Sequence, residues 1–227
     1  MMRNFIDREN QIFEVLQDFD ERGLEFVVVG GYAVSAFHHR FSVDADLVVG
    51  EEELGRFTEI LSADSFQKAE EKELDTYGGR FVAYEKEAEL PVSIDLLINS
   101  LQSRQTGAAW SYDYFRQHSR TEIIEGSERS VEVRVPTKEL LIAVKLHSGR
   151  LTDVRDVVAL ASDTDLAAVE EHLNRGDEEQ LEQVLGTVDE TIDDDNFEDA
   201  FKGVFSQQQM PGGNIERIQE LIRRQTD

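Results

Sequence analysis

The fold is decided by residues 24–49, which read LEFVVVGGYAVSAFHHRFSVDADLVV. The β-branched run at 24–29 is typical of a buried strand, and a pair of glycines ends it. The pattern then predicts a short helix over 32–38 and a second strand over 42–49. This order of strand, glycine turn, helix and strand indicates an α/β domain.

The second predicted strand carries two carboxylates, Asp44 and Asp46. Residues two apart on a strand face the same side, so both carboxylates project from one face of the sheet. Burying two like charges is costly unless something neutralises them. Carboxylate oxygens are ligands that Mg²⁺ and Mn²⁺ prefer, so the strand predicts a divalent-metal site.

A third carboxylate, Asp95, lies in the buried run VSIDLLI at 92–98. If that strand neighbours the one carrying Asp44 and Asp46, three carboxylates converge. Such a triad can hold two metal ions that bridge a triphosphate and activate an attacking oxygen. In so acidic a chain, the Asp44–Asp46 pair taken alone, or Asp95 taken alone, would have an ordinary structural explanation. Their order and apolar flanks together favour a site.

Gly30 and Gly31 supply the other half of the predicted site. Glycines between a strand and a helix expose backbone N–H groups and let a phosphate approach closely. Two glycines after a strand are commonly only a turn. With the aspartates placed on the next strand, they predict a phosphate cradle that faces the metal ligands.

The rest of the chain divides into two regions. Residues 1–136 are expected to form an α/β (α+β) catalytic domain, a small mixed sheet flanked by helices, and 137–227 a helical C-terminal region. Other predicted elements are helices over 4–19, 51–61, 108–117, 138–147, 154–161, 165–173, 178–185 and 215–224, strands over 66–74 and 80–85, a hairpin over 121–124 and 131–135, an acidic linker or helix start over 189–199, and a loop over 207–214.

The segment VGGYAV at 29–34, followed by RFSVDADLVV at 40–49, resembles the signature of the minimal nucleotidyltransferase superfamily, which has the DNA polymerase beta-like fold. The similarity is closest to the branch related to AbiEii-type abortive-infection toxins. That branch often has Arg-x-Thr-x-Asp, where this chain has Ser42 in place of the threonine. A later segment, KELLIAVKL at 138–146, followed by Arg150, Asp153 and Asp156, also resembles the branch. The resemblance covers residues 24–160 approximately.

The resemblance implies a role for each matching residue in moving a nucleoside monophosphate from an NTP to a hydroxyl. The catalytic and metal-binding roles fall to Asp44, Asp46 and Asp95, the last also activating the acceptor hydroxyl. The residues that would hold the nucleotide or complete the site are Gly30, Gly31, Arg40, Ser42, Lys145 and Asp156.

Two of these residues have competing interpretations. Lys145 lies between Val144 and Leu146, where a lysine either extends its ammonium to the surface or serves the site. Arg40 either braces the carboxylates, touches phosphate or forms a structural salt bridge to the aspartates. The residues alone do not choose between these interpretations.

The acceptor and the biological role stay open at this stage. RNA, a protein side chain or a small molecule would each offer a hydroxyl. The resemblance implies a toxin of a toxin–antitoxin or phage-defence module, with an antitoxin or another protein as partner. The alternative is a non-catalytic nucleotide-binding or partner-binding regulator on the same fold.

The absence of cysteine excludes disulfides, thiol catalysis and Cys-ligated zinc. Neighbouring His38 and His39 complete no zinc set. No apolar run approaches the ~20 residues that cross a bilayer, and the first residues lack an apolar signal core. A cytoplasmic protein that does not enter the membrane is therefore expected.

The net charge of the chain is unusual. The 48 Asp and Glu residues outnumber the 23 Lys and Arg residues and give a formal net charge of −25. Such a field disfavours non-specific binding to duplex DNA. Either the acidic surface binds a partner, or the protein is halophilic and salt screens its self-repulsion. The acidic residues are spread along the chain and do not form a tail, which favours adaptation to salt.

The salt interpretation predicts that the protein loses structure at low ionic strength. Screening shortens to about 3 Å at about 1 M salt, so the melting temperature should rise steeply with KCl concentration. Sucrose at matched osmolality is the control, because it adds no screening. A melting temperature that does not change across the KCl series would contradict the interpretation.

Overall fold

The computed structural model describes residues 2–205 and 210–226. The chain forms two compact units. The first comprises Met1–Leu101 and Trp110–Pro136, and the second comprises Gln102–Ala109 and Thr137–Asp227. The sequence pattern did not predict that residues 102–109 belong to the second unit.

The first unit contains a five-stranded mixed sheet in the order β1-β2-β5-β4-β3. Strands β2 and β5 pair in parallel, and the other neighbours pair antiparallel. This confirms the predicted fold class, a mixed sheet with helices. The strands are β1 (Phe26–Val29), β2 (Asp44–Val49), β3 (Gln67–Glu73), β4 (Arg80–Lys86) and β5 (Val92–Ile98).

Three helices accompany the sheet: α1 (Met2–Glu21), α2 (Gly30–Ser35) and α3 (Leu54–Ala63), the last preceded by a 3-10 turn at Glu51–Glu53. An aromatic cluster joins them to the sheet. The Phe19 ring of α1 meets the Phe57 ring of α3 at 4.8 Å and the Phe26 ring of β1 at 5.9 Å between centroids, both edge-to-face. Edge-to-face packing is a favoured arrangement of aromatic rings, so this cluster fixes one buried face of the sheet.

Strand β5 shows how the two faces of the sheet differ. Val92, Ile94, Leu96 and Ile98 are fully buried, whereas the alternate residues, Asp95 among them, are only half-buried. Successive side chains of a strand point to opposite faces. One face is therefore core, and the opposite face is open enough to carry polar groups.

The segment after the sheet corrects one predicted helix. The expected helix over 108–117 is instead strand β7 (Ala109–Ser111), which pairs with β6 (Ser100–Gln102), followed by helix α4 (Tyr112–Gln117). The helix begins later because the Ser111 hydroxyl accepts a hydrogen bond from the Tyr114 N–H at 3.2 Å and caps it. A hairpin of β8 (Ser119–Glu125) and β9 (Ser130–Pro136) completes the unit.

The second unit is helical. The Thr137 hydroxyl accepts from the Leu140 N–H and caps the first helix, which begins at Lys138 as predicted. The acidic stretch from 189 is partly helix, because Val188 and Ile192 are buried and extend the apolar stripe. Part of the predicted loop over 207–214 lies outside the described residues. The helices are α5 (Lys138–Ser148), α6 (Leu151–Leu160), α7 (Leu166–Leu173), α8 (Glu178–Ile192), α9 (Phe197–Phe205) and α10 (Gly212–Thr226).

His147 attaches the 102–109 segment to the helices of the second unit. Its Nδ1 lies 2.7 Å from the Thr106 hydroxyl, and its Nε2 lies 2.9 Å from the Leu173 carbonyl. Burial lowers the pKa of His147 to about 4, the Leu173 carbonyl opposes that effect, and Arg175 adds to it. The imidazole is therefore a neutral structural link.

Among the described residues, none of the helices has the length and apolar character needed to span a membrane.

The buried His147 predicts acid sensitivity of the second unit. The unfolded imidazole binds a proton more readily than the folded one, so stability is complete above pH 6.5 and falls as the pH drops from 6.5 towards 4. The full difference corresponds to about 3 kcal/mol. Chemical denaturation at fixed salt should show this slope in the native protein.

The matched variant is His147→Gln, which keeps a polar side chain but cannot titrate. Its free energy of unfolding should be lower at pH 7 and should lack the additional slope between pH 6.5 and 4. Because the other titrating groups are common to both proteins, subtracting the two curves isolates His147. Parallel curves would contradict the assignment.

Candidate active site

The open face of the sheet brings the three predicted carboxylates together in register. Asp46 pairs with Val29 of β1 on one side and with Asp95 of β5 on the other. Asp44 lies opposite Ser93 of β5. Neighbouring strands are about 4.8 Å apart, so the half-buried carboxylates of Asp46 and Asp95 project side by side.

Gly30 is required by the position of Asp46. A Cβ atom at residue 30 would lie 1.9 Å from Asp46 Oδ2, so the carboxylate rests directly against the glycine backbone. Gly30 also has a φ of +62°, a conformation that costs other residues steric strain. An alanine at this position would therefore displace the Asp46 carboxylate and strain the backbone, independently of any phosphate.

At Gly31, an added side chain would meet the ends of two other side chains. A Cβ atom there would lie 2.3 Å from the Ser42 Oγ and 2.9 Å from the Arg40 Nη2. Both side chains belong to the loop between α2 and β2. The structure therefore gathers Arg40 and Ser42 at the glycines, as expected for a nucleotide site, while their predicted contact with phosphate stays a prediction. Helix α2 begins at Gly30 itself, whereas the sequence pattern started it at Tyr32.

Hydrogen bonds from two helices hold this loop. The Ser35 hydroxyl lies 3.2 Å from the Gly31 carbonyl and 2.8 Å from the Arg40 carbonyl. The buried Arg8 of α1 donates to the Ser42 carbonyl at 3.4 Å. The entry into β2 is therefore fixed on both sides, which sets where Asp44 leaves the loop.

Asp95 has a specific neighbour on its own strand. The Ser93 hydroxyl donates to Asp95 Oδ1 at 3.0 Å. Burial raises the pKa of the Asp95 carboxyl to about 6, the Ser93 hydrogen bond opposes the rise, and the charge of Asp44 adds to it. This carboxyl therefore holds a proton more readily than an exposed aspartate.

The donor set suits a hard divalent cation, since it offers carboxylate oxygens on one face. Within residues 2–205 and 210–226, however, no three His, Cys, Asp or Glu side chains are gathered closely enough to hold a metal ion. The residues fit the ion in kind and in strand register.

Lys145 and Asp156, the other predicted catalytic residues, belong to the second unit. Lys145 does not extend to the surface, because it is 5% exposed and its Nζ lies 2.8 Å from Asp153 Oδ1 and 2.7 Å from Asp156 Oδ2. Asp153 also accepts from the Ser148 hydroxyl and the Arg150 Nε, each at 2.7 Å. The roles of Lys145 and Asp156 towards a triphosphate stay predictions.

The charges of Lys145 and Arg150 lower the pKa of Asp153. Burial alone would raise the pKa of the Asp153 carboxyl, but the Lys145 ammonium and the Arg150 guanidinium outweigh it and hold the value at about 2. The Asp153 carboxylate is therefore ionised throughout the physiological range. A buried ion pair with its remaining oxygens hydrogen-bonded avoids the large cost of an unpaired charge.

Sequence reasoning gave no role to Ser93 or Asp153. Ser93 lies two residues before Asp95 on the same strand, so the period of a strand already placed it on the same face. Asp153 lies three residues before Asp156, a spacing that puts both on one face of a helix. The signals were present in the spacing, but the contacts themselves depend on tertiary structure.

The mixed sheet, the glycines after β1, the Asp-x-Asp on β2 and the aspartate on β5 define a nucleotidyltransferase fold. The model of the family described as "Nucleotidyl transferase AbiEii toxin, Type IV TA system" matches residues 14–222. The chain belongs to this family and is a nucleotidyltransferase. A comparison with curated protein sequences finds no significant match.

Solved structures similar to this chain include those of a nucleotidyltransferase-like protein, an adenylyltransferase and ANT(2")-Ia. An antigenic nucleotidyltransferase-like protein from Paracoccidioides brasiliensis is 17% identical, with 88% of this chain and 98% of that chain covered and a TM-score of 0.50. The lincosamide antibiotic adenylyltransferase LnuA is 17% identical over 69% of this chain and 98% of that chain, with a TM-score of 0.46. ANT(2")-Ia, in complex with adenylyl-2"-tobramycin, is 19% identical over 72% of this chain and 93% of that chain, with a TM-score of 0.48.

The contact between Gly30 and Asp46 generates a prediction with a close control. Gly30→Ala should displace the Asp46 carboxylate and reduce nucleotidyl transfer about 100-fold, the usual order of effect of a misplacement of about 1 Å. Gly23 has a similar φ of +68°, but a Cβ atom there would meet nothing within 4 Å, so Gly23→Ala carries the same backbone strain without the collision. It should cost about 1–2 kcal/mol of stability and leave transfer intact.

Label transfer from an α-labelled NTP and denaturant unfolding of both variants check this expectation. If the two alanine variants lose activity equally, backbone strain and not the displaced carboxylate is the cause. If neither loses activity, the position of Asp46 against Gly30 is irrelevant to the reaction.

Proposed function

We propose that this protein transfers a nucleoside monophosphate from an NTP to a hydroxyl, using the carboxylates of Asp44, Asp46 and Asp95. The observation that carries the proposal is the position of Asp46. It lies in register with Asp95 on the open face of the sheet, with its carboxylate against Gly30.

Each residue has a defined task in the proposed reaction. The acceptor oxygen attacks the α-phosphorus, the bond from that phosphorus to the bridging oxygen breaks, and pyrophosphate leaves. Asp95 accepts the proton of the acceptor hydroxyl, a task for which a raised pKa is suitable. Gly30, Gly31, Arg40 and Ser42 hold the phosphates through backbone N–H groups, a guanidinium and a hydroxyl.

Asp44, Asp46 and Asp95 are the residues that would hold Mg²⁺ or Mn²⁺. The bound metal would neutralise the charge of the triphosphate and favour the attacking oxygen. Positioning and electrostatic stabilisation supply most of the catalysis in phosphoryl-type transfers. Lys145 and Asp156 are proposed to assist with the triphosphate, following their match to the family.

The family description supports a place in a toxin–antitoxin pair. We accordingly propose that the protein acts as the toxin, with an antitoxin as its protein partner and RNA, a protein or a small molecule as acceptor. A radiolabelled NTP added with cell extract, followed by identification of the labelled species, would name the acceptor.

A non-catalytic nucleotide-binding role is the second candidate. Calorimetry with Mg²⁺ and each NTP distinguishes the two. Binding without label transfer to any component of the extract would favour the second candidate, whereas binding with transfer favours the enzyme.

The central prediction of the proposed function concerns Asp46. Asp46→Asn removes the negative charge while keeping the shape of the side chain, so transfer should fall below detection and the melting temperature should stay close to that of the native protein. Glu59→Gln on α3 removes an exposed carboxylate outside the site and should leave transfer unchanged. Full activity of the Asp46→Asn protein would refute the mechanism.

A further inference from the structure

Four polar side chains form a two-by-two arrangement on the open face of the sheet. Asp44 lies opposite Ser93, and Asp46 lies opposite Asp95. Three of these positions are carboxylates, and the fourth is a hydroxyl. Ser93 is the hydrogen-bond donor among the four, so it is the member suited to orient a carboxylate without adding to their mutual repulsion.

The hydroxyl already makes one contact of the required kind. Ser93 Oγ donates to Asp95 Oδ1 at 3.0 Å, along the strand from the position opposite Asp44 to the position opposite Asp46. The terminal torsion of an aspartate is broad, so a carboxylate without a partner samples many orientations. The hydrogen bond selects one of them and occupies one oxygen of Asp95.

We propose that Ser93 is a positioning residue for nucleotidyl transfer, which fixes Asp95 through Oδ1 and leaves Oδ2 for the metal and the acceptor hydroxyl. The inference rests on the proposed function of the three carboxylates. Groups that hydrogen-bond to ligating carboxylates typically contribute about 10–100-fold to metal affinity or activity. Ser93 acts through Asp95 and does not itself touch the reacting atoms.

The effect of the Ser93 hydroxyl can be separated from the effect of side-chain shape by comparing two variants. Ser93→Thr and Ser93→Val add nearly the same volume, and both residues suit a strand, but only threonine keeps the donor. Steric effects on the neighbouring Asp44 and Glu85 are thereby matched between the variants. Melting temperatures of the two variants should agree within the error of the measurement.

Two measurements test the inference. In steady-state transfer, Ser93→Val should lower kcat about 10-fold with KM for the NTP unchanged within about two-fold, because the glycines and not Asp95 hold the phosphates. In a Mn²⁺ titration followed by electron paramagnetic resonance, without any NTP, Ser93→Val should bind about 10-fold more weakly. Ser93→Thr should match the native protein in both.

The outcomes separate this inference from the proposed function. Equal kcat and equal Mn²⁺ affinity of the valine and threonine variants would overturn the role of Ser93, even if the native protein transfers label. A native protein that transfers no label would overturn the proposed function, and the Mn²⁺ titration would still decide whether the Ser93 hydroxyl orients Asp95. A fall in kcat accompanied by an equal rise in KM would also contradict the positioning role.

Discussion

The contact of the Asp46 carboxylate with the backbone of Gly30 is the constraint on which the rest of the site depends. The contact leaves no room for a side chain at residue 30, since a Cβ atom there would lie 1.9 Å from Oδ2. It also requires that β1 and β2 pair with Val29 opposite Asp46. The parallel pairing of β2 with β5 then places Asp95 on the other side. The glycines, the strand order and the carboxylates are thus one geometric arrangement.

The acidic residues of this protein serve different purposes in different places. On the open face of the sheet, Asp44, Asp46 and Asp95 are only half-buried and share one face, which suits the binding of a cation. In the second unit, Asp153 and Asp156 are buried and neutralise Lys145 through short ion pairs. Most of the remaining carboxylates are exposed and keep the surface charged.

The sequence predicted the features that depend on local periodicity. The limits of β5 were predicted to the residue, and the shared face of Asp44 and Asp46 follows from the two-residue period of a strand. The fold class and family followed from the motif that begins at Gly30. The functional roles of these residues are still proposals that require activity measurements.

The features that could not be predicted depend on contacts between distant parts of the chain. The approach of Asp46 to Gly30 needs the pairing of two strands, and the bond of His147 to Thr106 joins residues 41 positions apart. Helix α8 extends into an acidic stretch because Val188 and Ile192 are buried by tertiary packing. The cap at Ser111 likewise became evident only from the course of the backbone.

The central claim, that the carboxylates on the open face of the sheet form the metal and nucleotide site, can be tested most directly by diffraction. Crystals grown with Mn²⁺ and an NTP analogue that cannot be cleaved between the α- and β-phosphates should be measured at the manganese absorption edge. The account predicts an anomalous peak within ligation distance of Asp44 and Asp46, with the triphosphate beside Gly30 and Gly31. Manganese and nucleotide bound at any other place, with these carboxylates unligated, would contradict it.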